Sequence, residues 1–199
     1  MIYQNNCKMV FLDRQRKVKL MRIWILDCDV DNYETLTWRQ NLDIEYVQSF
    51  DGTEKKENWN PIKVMRVYNR VFSNTPGFSP HIPVFDEKAI TVLRDLIIGN
   101  AEILQLDCED GDFYAINVTN VRDCIDYEKS IYKTFRDGKR IMRFTKYVFN
   151  KKKIEGVDLF KIKDEPLKRP FVSENFRKRV LENNLTGFKF ELAWDSEEE

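Results

Sequence analysis

Residues 86–118, DEKAITVLRDLIIGNAEILQLDCEDGDFYAINV, combine a helix pattern with a hairpin pattern and so decide the fold class. Asp86 is a favourable N-cap, apolar residues then recur at helical spacing up to Ile97, and Gly99 supplies a stop. The two β-prone runs that follow are separated by residues 109–111, Glu-Asp-Gly, a hairpin signal. A helix followed directly by a hairpin, without regular alternation of strand and helix, predicts an α+β fold.

The chain on either side of this stretch repeats the same two patterns. A second pair of β-prone runs flanks Asp137-Gly138, and a short strand is expected over 157–162. Ser173 is placed to cap a second helix. The sequence therefore predicts a mostly antiparallel sheet with two main helices, 86–98 and 173–183, packed on one side.

The last apolar run of the chain has the alternation of a half-buried strand. Four large side chains share one parity and are expected on a single buried face: Phe188, Phe190, Leu192 and Trp194. On that basis, replacing either of the last two by alanine should cost about 2–5 kcal/mol. The residues that follow, 195–199, are expected to be solvated.

Length and composition predict one domain. The chain has 199 residues, of which 42% are hydrophobic, enough for a well-formed core. A strand is expected over 23–26, because the run is continuously apolar. We expect a poorly ordered N-terminal extension over 1–20, one domain over 21–195 with a possible lobe boundary near 74–85, and an acidic tail over 196–199.

Charge is balanced overall and asymmetric locally. Lys and Arg total 33, as do Asp and Glu, so no global field draws the protein to nucleic acid or to a membrane. Residues 21–136 hold 13 basic and 20 acidic side chains, a net charge of −7, whereas residues 137–181 hold 14 and 6, a net charge of +8. The first segment could therefore suit a basic partner, although solvated faces of opposite charge would give the same count.

The cysteine, histidine and hydropathy patterns bear on cofactors and compartment. The four cysteines form no C-x-x-C pair and there is one histidine, so neither a metal nor another cofactor is expected. No secretory signal and no membrane-length apolar run is visible. We expect a cytoplasmic protein with free thiols.

One acidic stretch resembles a catalytic motif. Asp27, Asp29 and Asp31 follow the apolar strand, and a strand ending in D-x-D occurs in metal-dependent phosphohydrolases of the haloacid-dehalogenase type. Here, however, Val30 and Asp31 stand where that family places a small residue followed by Thr or Val, and no convincing later lysine and paired-Asp motif follows. A solvated acidic turn is the favoured interpretation, and no catalytic residue is predicted.

Two stretches carry a family resemblance: FYAINVTNVRDCID at 113–126 and LTGFKFELAW at 185–194. With the runs around them, they make the chain from about Met21 to Trp194 similar to immunity family eleven, bacterial immunity proteins of polymorphic toxin systems, formerly a domain of unknown function. The resemblance implies a non-enzymatic, cytoplasmic protein that binds and neutralises a cognate toxin domain. It transfers no catalytic residue and does not identify the toxin or the oligomeric state.

The binding surface must come from the residues themselves. The acidic charge of 21–136 suggests that Asp29, Asp31 and Asp110 contact the partner, with Trp38 or Trp59 as an aromatic anchor if either is exposed. Two alternatives stay open: a phosphohydrolase that uses Asp27 and Asp29, and an adaptor with another protein partner.

Overall fold

The computed structural model describes residues 20–39 and 44–197. Over these ranges the chain forms two five-stranded sheets, a separate two-stranded hairpin and two longer helices. The strands are β1 (Arg22–Cys28), β2 (Leu36–Trp38), β3 (Ile62–Arg66), β4 (Val84–Asp86), β5 (Ala101–Cys108), β6 (Phe113–Val118), β7 (Val121–Arg122), β8 (Ile131–Thr134), β9 (Ile141–Lys146), β10 (Leu159–Ile162), β11 (Phe171–Ser173) and β12 (Phe188–Asp195). The helices are α1 (Ile44–Gln48), α2 (Glu87–Ile97), α3 (Lys151–Ile154) and α4 (Glu174–Glu182), with a 3-10 turn at Lys56–Asn58.

The sheet topology confirms the α+β class and corrects the prediction of a single sheet. The first sheet has the order β12-β1-β11-β10-β7, and the second has the order β2-β3-β5-β6-β4. Each contains one parallel pair, β10 with β7 and β3 with β5, among antiparallel ones. A parallel pair needs a long crossover, and that between β3 and β5 includes α2. The sequence offered no regular strand–helix spacing that would reveal it.

The central core joins both sheets and both longer helices. It contains Leu26 and Val172 from the first sheet, Ile116 from the second, Leu93 from α2 and Phe176 from α4, all nearly or fully excluded from solvent. The two predicted helices therefore pack into one shared core, and they contact each other directly. This burial, rather than helix propensity alone, stabilises such short helices.

The predicted caps and hairpins are confirmed. The Asp86 carboxylate accepts a hydrogen bond from the backbone N–H of Ala89 at 2.8 Å, and Ser173 Oγ accepts one from Phe176 at 3.1 Å. Strand β5 pairs with β6 across the 109–111 turn, and β8 pairs with β9 across Asp137-Gly138. These are the places where short-range chemistry fixes the backbone.

Each sheet has a second core on its other face. Behind the first sheet, Ile25 and Phe171 pack with Phe144 and Phe149 from the 123–157 segment. Behind the second sheet, Leu36, Val64 and Leu104 pack with Phe50 and Ile82. We call these the 123–157 core and the 36–82 core.

Strand β12 departs from the predicted alternation at its end. Trp24 pairs with Leu192 and Ile23 with Trp194, which leaves Ala193 as an extra residue, a β-bulge. Phe188 and Phe190 therefore lie against the central core, whereas Trp194 packs in the 123–157 core. Leu192 is 44% exposed. The prediction of one buried face for all four residues is wrong, because the bulge shifts the two-residue period by one.

The ends of the predicted domain are only partly described. Of the predicted extension 1–20, only Leu20 falls within the described residues, and Glu198 and Glu199 fall outside them. Asp195 and Ser196 are buried: the Asp195 carboxylate accepts from Arg22 Nε at 2.7 Å, and Ser196 Oγ accepts from the N–H of Met21 at 3.0 Å. These two residues are therefore not solvated, and the lobe boundary near 74–85 stays a prediction.

Candidate protein-binding surface

The strand end that resembles a phosphohydrolase motif is engaged by protein donors. One oxygen of Asp27 accepts from the backbone N–H of Cys28 at 2.9 Å, and the other accepts from Arg169 Nη1 at 2.5 Å. Arg169 also contacts Glu191 at 3.1 Å. Within 20–39 and 44–197, no group of three or more His, Cys, Asp or Glu side chains is placed to hold a metal ion. The geometry makes Asp27 an ion-pair residue that joins β1 to the segment before β11.

The acidic turn after β1 is built by local hydrogen bonds. The Asp29 carboxylate accepts from Asn32 Nδ2 at 2.8 Å, and this bond is the main reason that the pKa of Asp29 lies below its ordinary value. Its backbone N–H donates to the carbonyl of Gly187 at 2.8 Å. Asp31 is exposed, and its carbonyl oxygen accepts from Arg70 Nη1 at 3.0 Å. Arg70 therefore joins this turn to a second loop, residues 67–71, which follows β3.

A buried carboxylate organises the 67–71 loop. Glu34 is fully buried, and its carboxylate accepts from the backbone N–H groups of Thr35 at 3.0 Å, Tyr68 at 2.7 Å and Arg70 at 3.0 Å. Arg66 Nε donates to it at 3.1 Å. Burial by itself would raise the pKa of Glu34, but these donors together hold the pKa below its ordinary value. The loop is therefore fixed from inside by a charged group.

Arg66 extends this network to the 109–111 turn. Its guanidinium lies 3.7 Å from the Asp110 carboxylate, donates to the carbonyl of Arg70 at 2.6 Å and lies 4.9 Å from the centre of the Phe72 ring. Three predicted partner-binding residues, Asp29, Asp31 and Asp110, are thus connected through one loop. Because Asp110 is far from the other two in the chain, the sequence did not show that they lie close to one loop.

The outer side of this loop is apolar and aromatic. Met65, Val67 and Tyr68 are 45%, 44% and 51% exposed, and Val71 is 75% exposed. The Arg70 guanidinium stacks on the Tyr68 ring at 4.8 Å. Tyr, Met and Arg are the residue types enriched where protein partners bury surface. We call this region, residues 65–71 with the flanking carboxylates of Asp31 and Asp110, the 65–71 surface.

The two predicted tryptophan anchors are engaged in packing. Trp38 is half-buried, with its ring 4.3 Å from that of Phe78. Trp59 is also half-buried: its Nε1 donates to the carbonyl of Gln105 at 2.7 Å, and its ring meets Phe50 edge-on at 6.2 Å. Both pack against the 36–82 core. Their role in partner binding stays a prediction.

Sequence reasoning missed Glu34, Arg66, Tyr68 and Arg70. The pattern of IKVMRVYNRVF at 62–72 fits either a strand or a helix, and only a strand that ends at Arg66 leaves Tyr68 and Arg70 in a loop. The signal that could have found this surface is a tyrosine and an arginine, Tyr68 and Arg70, close together in a polar segment. Nothing local marks Glu34 as buried.

The comparisons with known proteins add a family. No helix within the described residues combines the length and the apolar character needed to cross a membrane. No curated protein matches the chain significantly. Residues 105–195, which contain strands β6 to β12, match the family model described as Immunity protein family (Imm11), and this match confirms the resemblance over these residues.

Proposed function

We propose that the chain is an immunity protein that binds a cognate toxin domain in the bacterial cytoplasm and neutralises it by contact, without catalysis. The family match over 105–195 is the observation that carries this proposal. The absence of a catalytic constellation in the sequence agrees with it. The toxin is a protein partner, and its own chemistry is left open.

The 65–71 surface supports the proposal, because it is ready to bind without reordering. Tyr68 and Arg70 stack on each other, and Glu34 holds the backbone beneath both. A loop that is already ordered loses little conformational entropy when a partner docks, so more of the contact energy appears as affinity. Tyr68 is the central anchor of the proposed contact.

The carboxylates around the loop supply the electrostatic part. Asp31 and Asp110 are exposed beside it, and residues 21–136 carry a net charge of −7. Toxin domains that act on nucleic acid hold phosphates with basic side chains, and an acidic surface would compete for such a cleft. The same charge would accelerate association at low ionic strength.

The first experiment identifies the partner. The chain is co-expressed with the product of the adjacent gene, recovered by affinity purification and tested for protection of cells that express the toxin domain. A stable complex and protection are expected. Stable expression of the chain without a complex and without protection would remove the proposal and favour the adaptor alternative.

The second experiment tests the surface. Tyr68→Ala should weaken toxin binding by about 2 kcal/mol, the usual scale for a central aromatic anchor, with little change in melting temperature. Asp29→Asn combined with Asp31→Asn should slow association at low salt. Glu155→Gln combined with Glu182→Gln removes the same charge from exposed positions elsewhere and serves as the control. Association that is insensitive to salt and to the aspartate changes would move the interface away from these acids.

A further inference from the structure

The β8–β9 hairpin is the one two-stranded sheet among the described residues, and it is anchored to the fold along β9, where Ile141 also packs against the 123–157 core. Phe144 is buried in the 123–157 core, and Ser130 Oγ accepts from the backbone N–H of Val148 at 2.9 Å. By contrast, residues 131–140, which form β8 and the turn, are all exposed. The hairpin is an arm whose outer strand and turn contribute little to the cores.

The tip of the arm is closed by its own acidic residue. Asp137 accepts from the backbone N–H of Lys139 at 2.9 Å and from Arg140 Nε at 2.7 Å. The bond to Arg140 is the main cause that lowers the pKa of Asp137 to about 2. Gly138 adopts φ 66°, as the turn requires. The single carboxylate of the arm is therefore committed to the turn.

The remaining charges of the arm are basic and uncompensated. Residues 130–146 carry six basic side chains and one acidic one. Apart from Arg140, these cations have no ion-pair partner among the described residues: Lys133, Arg136, Lys139, Arg143 and Lys146. Lys133 and Arg143 stand directly opposite each other on the ladder. Like charges in that position destabilise a strand pair, so the arrangement does not serve the stability of the fold.

Apolar side chains are interspersed with these cations. Ile131, Phe135 and Met142 are 59%, 43% and 45% exposed. The two aromatic rings of the outer arm are already engaged, Phe135 with the Arg140 guanidinium at 5.2 Å and Tyr132 with Phe144 at 5.5 Å. The remaining aliphatic side chains offer no stacking surface for bases, whereas protein interfaces favour apolar contacts bordered by Arg. The composition of the arm therefore fits a protein surface better than a nucleic acid.

A groove beside the arm continues the same chemistry. Arg143 lines it together with Lys168 and Arg169, and Phe144 and Tyr147 contribute aromatic walls. Glu165 also lines the groove, and its carboxylate accepts from the Tyr147 hydroxyl at 2.8 Å. The guanidinium of Arg169 is already bonded to two carboxylates, but Arg143 and Lys168 have no ion-pair partner among the described residues. A carboxylate carried on a protruding loop would meet two available cations there.

We propose that the β8–β9 hairpin is a second contact arm for the toxin and takes an acidic segment of the toxin surface that also carries apolar residues. The proposal rests on the immunity function proposed above. The partner's charge is assigned by complementarity to the five uncompensated cations. The N-terminal segment 1–19 of the same chain is basic and does not complement the arm.

The test uses Lys133→Glu in the full chain, with the co-purified toxin domain as the probe. The substitution places a carboxylate opposite Arg143 and turns a like-charged pair into an opposite-charged one, so the melting temperature should not fall. Affinity for the toxin should nevertheless fall about tenfold. Arg94→Glu on α2 makes the same change in net charge at an exposed position and should leave affinity unchanged.

The possible outcomes separate the two proposals. If the wild-type chain binds no toxin, the immunity function fails and this inference fails with it. If wild type and Lys133→Glu bind the toxin equally, only the arm is excluded. Sedimentation that shows a dimer lost in Lys133→Glu would assign the arm to a second copy. Binding of a duplex RNA or DNA that Lys133→Glu abolishes would assign it to nucleic acid, and either result overturns the proposal.

Discussion

The 65–71 surface and the β8–β9 hairpin both expose apolar residues beside arginine, but different forces hold them. The loop is fixed by a fully buried carboxylate that accepts four hydrogen bonds, whereas β8 and the turn of the hairpin rely on the ladder with β9 and on the hydrogen bonds of the turn. Their charges are also opposite: Asp31 and Asp110 flank the first, and uncompensated cations cover the second. The two proposed contact regions therefore differ both in the interactions that hold their backbones and in the sign of their charge.

Trp194→Ala should have the largest effect, because it removes packing beneath the hairpin. Trp194 is 5% exposed, and its ring lies 5.8 Å from that of Phe149 in the core that anchors the arm. We expect a loss of about 3–5 kcal/mol in the free energy of unfolding. Leu192→Ala, two residues away and 44% exposed, should cost less than about 1 kcal/mol. Urea denaturation of both variants decides the matter, and equal losses would refute the placement of the bulge.

Glu34→Ala should be next, and it acts on the loop. Removal of the carboxylate leaves three backbone N–H groups and Arg66 without their acceptor, and we expect a loss of about 3 kcal/mol. Toxin binding should weaken as well, since Tyr68 and Arg70 lose their support. Glu182→Ala, at an exposed position on α4, is the matched control. Hydrogen exchange of the Tyr68 and Arg70 amides that stays as slow as in wild type would show that Glu34 does not fix the loop.

One glycine beside the acidic turn and one at the tip of the hairpin differ in how closely they are packed. Gly187 adopts φ 82°, and a Cβ there would lie 2.1 Å from Ser73 Oγ, next to the carbonyl that holds the acidic turn. Gly187→Ala should cost about 2 kcal/mol from strain and collision. Gly138→Ala, at φ 66° with no atom within 4 Å, should cost only about 1 kcal/mol from the backbone. Similar melting temperatures for the two variants would contradict the difference in packing.

The smallest expected effect is a pH dependence confined to the loop. The pKa of Glu34 is lowered in the folded state, so its contribution to stability is present above the ordinary glutamate pKa and is lost as pH falls through the folded value. Stability measured between pH 6 and about pH 3 should therefore fall less steeply in Glu34→Gln than in wild type. Parallel curves for the two proteins would remove Glu34 from the acid sensitivity.

Sequence alone located the elements whose cause is local. Asp86 and Ser173 mark helix starts through their own side chains, and the two Asp-Gly turns mark hairpins. It could not locate effects that depend on distant partners. The bulge at Ala193 exists because two different cores compete for one strand, and Glu34 resembles any surface glutamate until Arg66 and Tyr68 are placed around it.

The candidate surface was predictable to a similar extent. Asp29, Asp31 and Asp110 follow from local acidity, but their connection through Arg66 and Arg70 depends on how β2, β3 and β5 pair. The basic segment 137–181 was visible as a charge count. Only the strand register shows that Lys133 and Arg143 face each other. The hydrogen bonds of Asp137 show that the acidic residue of the arm is already engaged in the turn.

The pairing of β1 with β12 has a consequence for how the protein is made. The two strands lie about 160 residues apart, so β1 leaves the ribosome long before its neighbour exists. At roughly 5–20 residues per second this interval is about 8–30 s. During that time the apolar stretch Ile23–Leu26 has neither of its sheet partners, because β11 is also made late. The first sheet therefore cannot close around β1 until both of these late strands have been made.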